Sequence, residues 1–145
     1  MNAAPAAVAG AATFIWLGMV LAISFVETPL KFRAYGTLGV TIPVGLGIGR
    51  IVFRALNRAE LALALMALAA IVLGRPTGAV AALTAAILVI LAGQLIVIRP
   101  QLNRRTNSVL AGENPPRSTV HLYYVAFEAA KVLMLTALGI CLLAA

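Results

Sequence analysis

"GAVAALTAAILVILAGQLIVI", residues 78–98, runs for 21 residues without a charged side chain. A helix of that length spans roughly 30 Å, the thickness of bilayer hydrocarbon. Its apolar residues follow one another continuously, without the alternation of a β-barrel strand. The stretch therefore reads as a membrane helix, and three others accompany it. They cover about 9–28, 59–74 with an amphipathic lead-in from 43, and 119–144. Composition agrees: 63% of the 145 residues are hydrophobic and 10% charged, against about 25% charged in soluble domains. The expectation is an all-α integral membrane protein, a single four-helix transmembrane domain over residues 1–145 with an amphipathic extension at the start of helix 2.

Prolines punctuate these spans. Pro5 precedes helix 1, Pro29 closes it, Pro43 opens helix 2, and Pro76 lies in the "GRPTG" turn. Pro100 ends helix 3, Pro115 and Pro116 occupy the next loop, and Ser118 is placed to cap helix 4. Proline suits helix starts and turns and disrupts interiors, and serine is a favoured N-cap.

The basic residues set an orientation. Lys31, Arg33, Arg50, Arg54 and Arg58 lie between helix 1 and the body of helix 2, and Arg99, Arg104, Arg105 and Arg117 between helices 3 and 4. The turn between helices 2 and 3 has only Arg75. Positively charged loops stay in the cytoplasm, so both termini are expected outside. The first helix lacks a basic leader segment and carries its charges behind it, as an uncleaved helix does. A net charge of +7 would suggest nucleic acid in a soluble protein. Here the cations alternate with hydrophobic spans, and topology explains them. One cysteine, Cys141, excludes an internal disulfide or a cysteine-based metal cluster.

Polar side chains collect in the basic half of the predicted bundle. Glu27 and Glu60 fall near the inner ends of helices 1 and 2, and Gln94 one turn inside the end of helix 3. On helix 4, His121, Tyr124, Glu128, Lys131 and Leu135 share a sector of about 80°. Charges in mid-bilayer are costly and face the bundle interior, so this stripe points inward. It forms either a mutually neutralising Glu128–Lys131 pair or the wall of a polar cavity. Ser24, Glu27 and Lys31 share a face of helix 1, with Glu27 and Lys31 paired four residues apart. Glu27, Glu60, His121 and Glu128 include metal-binding residue types, but no helix carries Glu-x-x-His spacing, and no metal is expected. On helix 2, Arg54 and Arg58 suit anionic lipid headgroups. Arg50, Asn57 and Glu60 turn inward, with Arg50 or Lys131 as the partner of Glu60. Gly45 and Gly49 read as a close helix contact. The run Gly45, Gly47, Gly49 follows no strand, which rules out a nucleotide loop.

"SFVETPLKF", "GIGRIVFRALNRAELALAL", "IRPQLNRR" and "HLYYVAFEAAKVLMLTALGI" together resemble the transmembrane protein 205-like group. The resemblance rests on Phe25, Pro29 and Phe32, the Gly49–Arg50 step before Phe53, and a helix 4 opening on His121. It covers most of the chain and implies a four-helix membrane fold of uncharacterised activity. "RALNRAE" is separately similar to a helix 2 segment of the membrane-associated eicosanoid and glutathione metabolism enzymes, with one residue fewer between Arg54 and Asn57. That similarity implies glutathione contacts at Arg54, Asn57 and Glu60.

The leading expectation is a small non-enzymatic transporter or accessory subunit with a polar pocket open to the cytoplasm. A glutathione-dependent enzyme is the alternative, and a purely structural subunit the next. Arginine and alanine usage suggests a GC-rich bacterial genome and hence the inner membrane. The partners expected are bilayer lipid, its anionic headgroups and further copies of the chain. No cofactor is assigned. A C-terminal alkaline phosphatase fusion should be active and a C-terminal fluorescent fusion dark; the reverse pattern would invert the orientation.

Overall fold

The computed structural model describes residues 1–113 and 119–144, and its regular elements are all helical. Four helices are long and apolar enough to cross a bilayer: α1 (Ala3–Ala34), α2 (Ile42–Leu73), α3 (Gly78–Leu110) and α4 (Val120–Leu143). This is the build of a multi-pass membrane protein. Large apolar side chains such as Leu65, Val89, Ile96 and Leu133 point outward. That arrangement suits lipid, because an aqueous surface rarely carries so much contiguous apolar area. Pro115, Pro116, Arg117 and Ser118, to which the sequence assigned loop and cap roles, lie outside the described residues.

Among the described residues, each connection between helices contains one residue with positive φ: Gly39 at 65°, Arg75 at 57° and Gly112 at 82°. Glycine adopts that conformation freely, and Arg75 takes it where the chain leaves α2. Pro43 stands in the first turn of α2. The Thr77 hydroxyl accepts from the Val80 N–H at 3.5 Å to open α3.

The expected ends of helices 1 and 3 need correction. Pro29 does not close helix 1, since the helix continues to Thr37. Pro100 does not end helix 3, and Arg99–Leu110 is helical, so Arg99, Arg104 and Arg105 belong to a helix. Gln94 accordingly lies well inside α3. Pro5 also lies within the first helix, which begins at Ala3. The physical reason is a π-helical segment ahead of each internal proline, Leu21–Glu27 before Pro29 and Gln94–Ile98 before Pro100. A proline interior to an α-helix has no N–H and collides with the carbonyl four residues back. Wider π turns bond five residues back. The Thr28 N–H thus reaches the Ile23 carbonyl, and the Arg99 N–H that of Gln94. The Thr28 hydroxyl adds a second bond to Ile23, at 2.9 Å.

Cross-helix contacts define the arrangement. Asn2 meets Gly74, Trp16 meets Glu60 and Lys31 meets Gly49, so α1 and α2 are antiparallel. Phe14–Gly139, Ser24–Glu128 and Phe32–His121 contacts make α1 and α4 antiparallel. The Phe53–Tyr124 and Glu60–Lys131 contacts advance together, so α2 and α4 run parallel. Helix α1 packs against both α2 and α4, and α3 against α4. Near the termini the core is small and apolar: Ala9, Ala64, Ala70, Leu138 and Leu142 interlock. The polar residues lie further toward the arginine-rich end.

Gly139 allows α4 to approach α1, because a Cβ there would stand 2.7 Å from Phe14 Cζ. Gly139→Leu should cost about 1–3 kcal/mol through overpacking, read as a lower melting temperature in detergent. Gly139→Ala should cost less, since the partly exposed Phe14 ring can swing toward lipid.

Candidate functional site

Lys131 is midway along α4 and fully buried, with Glu60 and Glu128 each 1% exposed. Its ammonium has three protons to donate, and three acceptors surround it. They are Glu60 Oε1, Gln94 Oε1 at 2.8 Å and Glu128 Oε1 at 3.0 Å. The carboxylates have further donors. Trp16 Nε1 donates to Glu60 at 2.9 Å, Gln94 Nε2 to Glu128 at 2.8 Å and Ser24 Oγ to Glu128 at 3.0 Å. Every helix contributes to this cluster. Both π-helical segments do so directly, through Ser24 and Gln94 on the two sides of Glu128.

A second group lies nearer the arginine-rich end. Tyr124 is buried one turn from Glu128, and its hydroxyl accepts from Arg99 Nη2 at 3.2 Å. The same Arg99 nitrogen reaches Asn57 Oδ1 at 3.2 Å and the Phe53 carbonyl at 3.4 Å. Its guanidinium lies 4.6 Å from the Phe53 ring centre and 5.0 Å from that of Tyr124, within cation–π range. The two rings meet edge to face at 5.5 Å. Arg50 crosses to α3, donating to the Asn103 carbonyl at 3.3 Å and to Asn107 Oδ1. Lys31 pairs with Glu27 at 3.1 Å.

Among the residues of this second group lies a cavity of about 110 Å³, lined from all four helices. Lys31, Arg50, Phe53, Arg99, His121 and Tyr124 are on its wall. Gly45 and Gly49 form part of the α2 side, and a Cβ at Gly49 would lie 3.1 Å from Lys31 Nζ. A smaller cavity of about 20 Å³ shares Thr28, Phe53, His121 and Tyr124 with it and reaches Ser24 and Glu128. That volume suffices for about one water molecule. The smaller cavity thus lies between the arginine-rich end and Glu128.

The sequence-predicted residues divide among these surroundings. Glu60, Gln94, Glu128 and Lys131 come together, with Tyr124 adjoining them. The partner of Glu60 is Lys131 rather than Arg50. Glu27 is held apart by Lys31. His121 is exposed at the end of its stripe, edge-on to Phe32 at 6.4 Å. Arg54 and Arg58 are exposed and Asn57 is half-buried against Arg99. Arg54, Asn57 and Glu60 therefore face three different surroundings. Among the described residues, no three histidine, cysteine or acidic side chains gather as a metal site. Trp16, Phe53 and Arg99 were not anticipated. A lone tryptophan in a buried helix signals an N–H in need of an acceptor, but Arg99 read as a loop charge. No protein-family model, curated protein or solved structure matches the chain.

The cluster sets an order of mutational costs. Lys131→Met strands two buried carboxylates and should cost about 3–5 kcal/mol or more. Glu60→Gln and Glu128→Gln should each cost less, because one carboxylate still faces Lys131. Trp16→Phe should cost about 1–3 kcal/mol by removing a donor from Glu60. Glu128→Gln with Lys131→Met should leave Glu60 unpaired and restore little; adding Glu60→Gln should restore most of the loss. Detergent melting of the variant series measures these couplings. Full recovery in the Glu128–Lys131 double variant would show that Glu60 is not part of the pair.

Proposed function

We propose that this protein is a small, non-enzymatic transporter or transport-accessory subunit of a bacterial inner membrane, with a ligand pocket open toward the cytoplasm. The carrying observation is the cavity at the arginine-rich end, with a smaller cavity beside Tyr124 that touches Glu128 of the buried cluster. Intramembrane charges kept at such cost commonly mark ligand or ion pathways. The cluster itself favours binding over catalysis, because Lys131 engages both carboxylates and Gln94. Ligand binding would compete with or rearrange these bonds. Four helices leave little room for a complete pore, so permeation would require several copies arranged symmetrically.

Cysteine accessibility tests this reading. In a Cys141→Ala background, Thr106→Cys in the cavity wall should react with a membrane-impermeant thiol reagent in inside-out vesicles and stay protected in intact cells. Ala12→Cys, buried in the opposite half, should react from the outer face only if that half opens during transport. Protection of Thr106→Cys on both sides would remove the open pocket. The separated positions of Arg54, Asn57 and Glu60 add an expected result: calorimetry should show no glutathione binding at millimolar concentration.

A further inference from the structure

We infer that the cavity between the four helices is a site for one oxyanion, a phosphate group carried on an apolar body. This rests on the pocket reading above and names the class of its ligand. Charge pairing carries the argument. Around the cavity and the cluster beneath it, four cations (Lys31, Arg50, Arg99, Lys131) face three carboxylates (Glu27, Glu60, Glu128). The carboxylates are committed: Glu27 to Lys31, and Glu60 and Glu128 to Lys131. Arg50 and Arg99 have only neutral oxygens as hydrogen-bond acceptors among the described residues.

The arginines also retain unused donors. Nε of Arg50 and Nε of Arg99 are both shielded from solvent and have no hydrogen-bond partner among the described residues. A buried donor without an acceptor is costly, and both arginines line the same cavity. Guanidinium groups bind phosphate through paired N–H donors, so one oxyanion between these two side chains would give both guanidiniums an anionic acceptor. Arg54 and Arg58 are different: both are exposed outside the cavity. The Phe32 and Phe53 rings, with Leu46 and Leu102, make the remaining wall largely apolar. A bare ion would leave that wall unused, whereas an amphiphile would cover it. Anionic phospholipid and a soluble phosphomonoester both supply this chemistry.

The test is a melting titration of detergent-purified protein with three probes: hexyl phosphate, phosphatidylglycerol and phosphatidylcholine. Saturable stabilisation is expected from hexyl phosphate, from phosphatidylglycerol, or from both, and none from phosphatidylcholine. A response to hexyl phosphate assigns a soluble phosphoester; a response to phosphatidylglycerol alone assigns the lipid. Arg50→Gln should weaken the active probe by about tenfold or more, as should Arg99→Gln. Arg50→Lys, which keeps the charge without the planar fork, should weaken it less. Arg75→Gln, in the turn at the opposite end of the bundle, should leave binding unchanged. If Arg99→Gln fails to fold, Arg50→Gln and its lysine counterpart decide. No stabilisation by either anionic probe would overturn the inference, as would an equal response to phosphatidylcholine. Binding that survives Arg50→Gln, or falls equally with Arg75→Gln, would also overturn it. Such a result alongside cytoplasmic labelling of Thr106→Cys would refute the ligand class and leave the open pocket standing.

Discussion

An ammonium group midway along a helix surrounded by lipid must find its acceptors inside the protein. Lys131 finds them on three elements: Glu60 on α2, Gln94 on α3 and Glu128 on its own helix. This requirement ties the bundle together more specifically than its apolar contacts do. Lipid tails are as apolar as leucine, so burial of leucine or alanine gives membrane helices little preference for one another. Hydrogen-bonded ions do give a preference, because an ion left without partners in hydrocarbon is expensive. Register follows from the same bonds. Sliding α4 along α2 would separate Lys131 from Glu60, and sliding α1 would separate Trp16 from Glu60 and Ser24 from Glu128.

The two π-helical segments serve this arrangement. Each precedes an internal proline, at Pro29 and Pro100, and each presents one polar side chain to Glu128. The extra residue in a π turn widens the helix and changes the direction of the following residues. Ser24 and Gln94 therefore reach the same carboxylate from α1 and α3, while both helices continue toward the arginine-rich end. There their extensions enclose the cavity with the start of α2.

Charge is distributed unequally between the two levels of the structure. In the buried cluster, one ammonium faces two carboxylates and the donors Trp16, Ser24 and Gln94. Nearer the arginine-rich end, Arg50 and Arg99 are held by neutral oxygens and aromatic faces. Tyr124 separates the two levels: it accepts from Arg99 and lines the small cavity that reaches Glu128. The upper cavity therefore presents guanidinium and aromatic surface, and the carboxylates of the cluster lie below Tyr124.

Hydropathy made the four spans legible before any coordinates, since a run such as 78–98 has few alternatives to a membrane helix. Helical spacing likewise placed Tyr124, Glu128 and Lys131 on one inward face, and the cost of buried charge marked that face as polar and partnered. The choice of partner was beyond such reasoning. Arg50 and Lys131 were both available to Glu60, and only the relative placement of α2 and α4 selects Lys131. Trp16 and Glu60 lie on different helices with no local pattern to connect them. Prolines at 29 and 100 looked like helix ends because their usual effect is to break an α-helical ladder. The π turns before them carry Ser24 and Gln94 onto Glu128, and periodicity within one helix carries no information about contacts between helices.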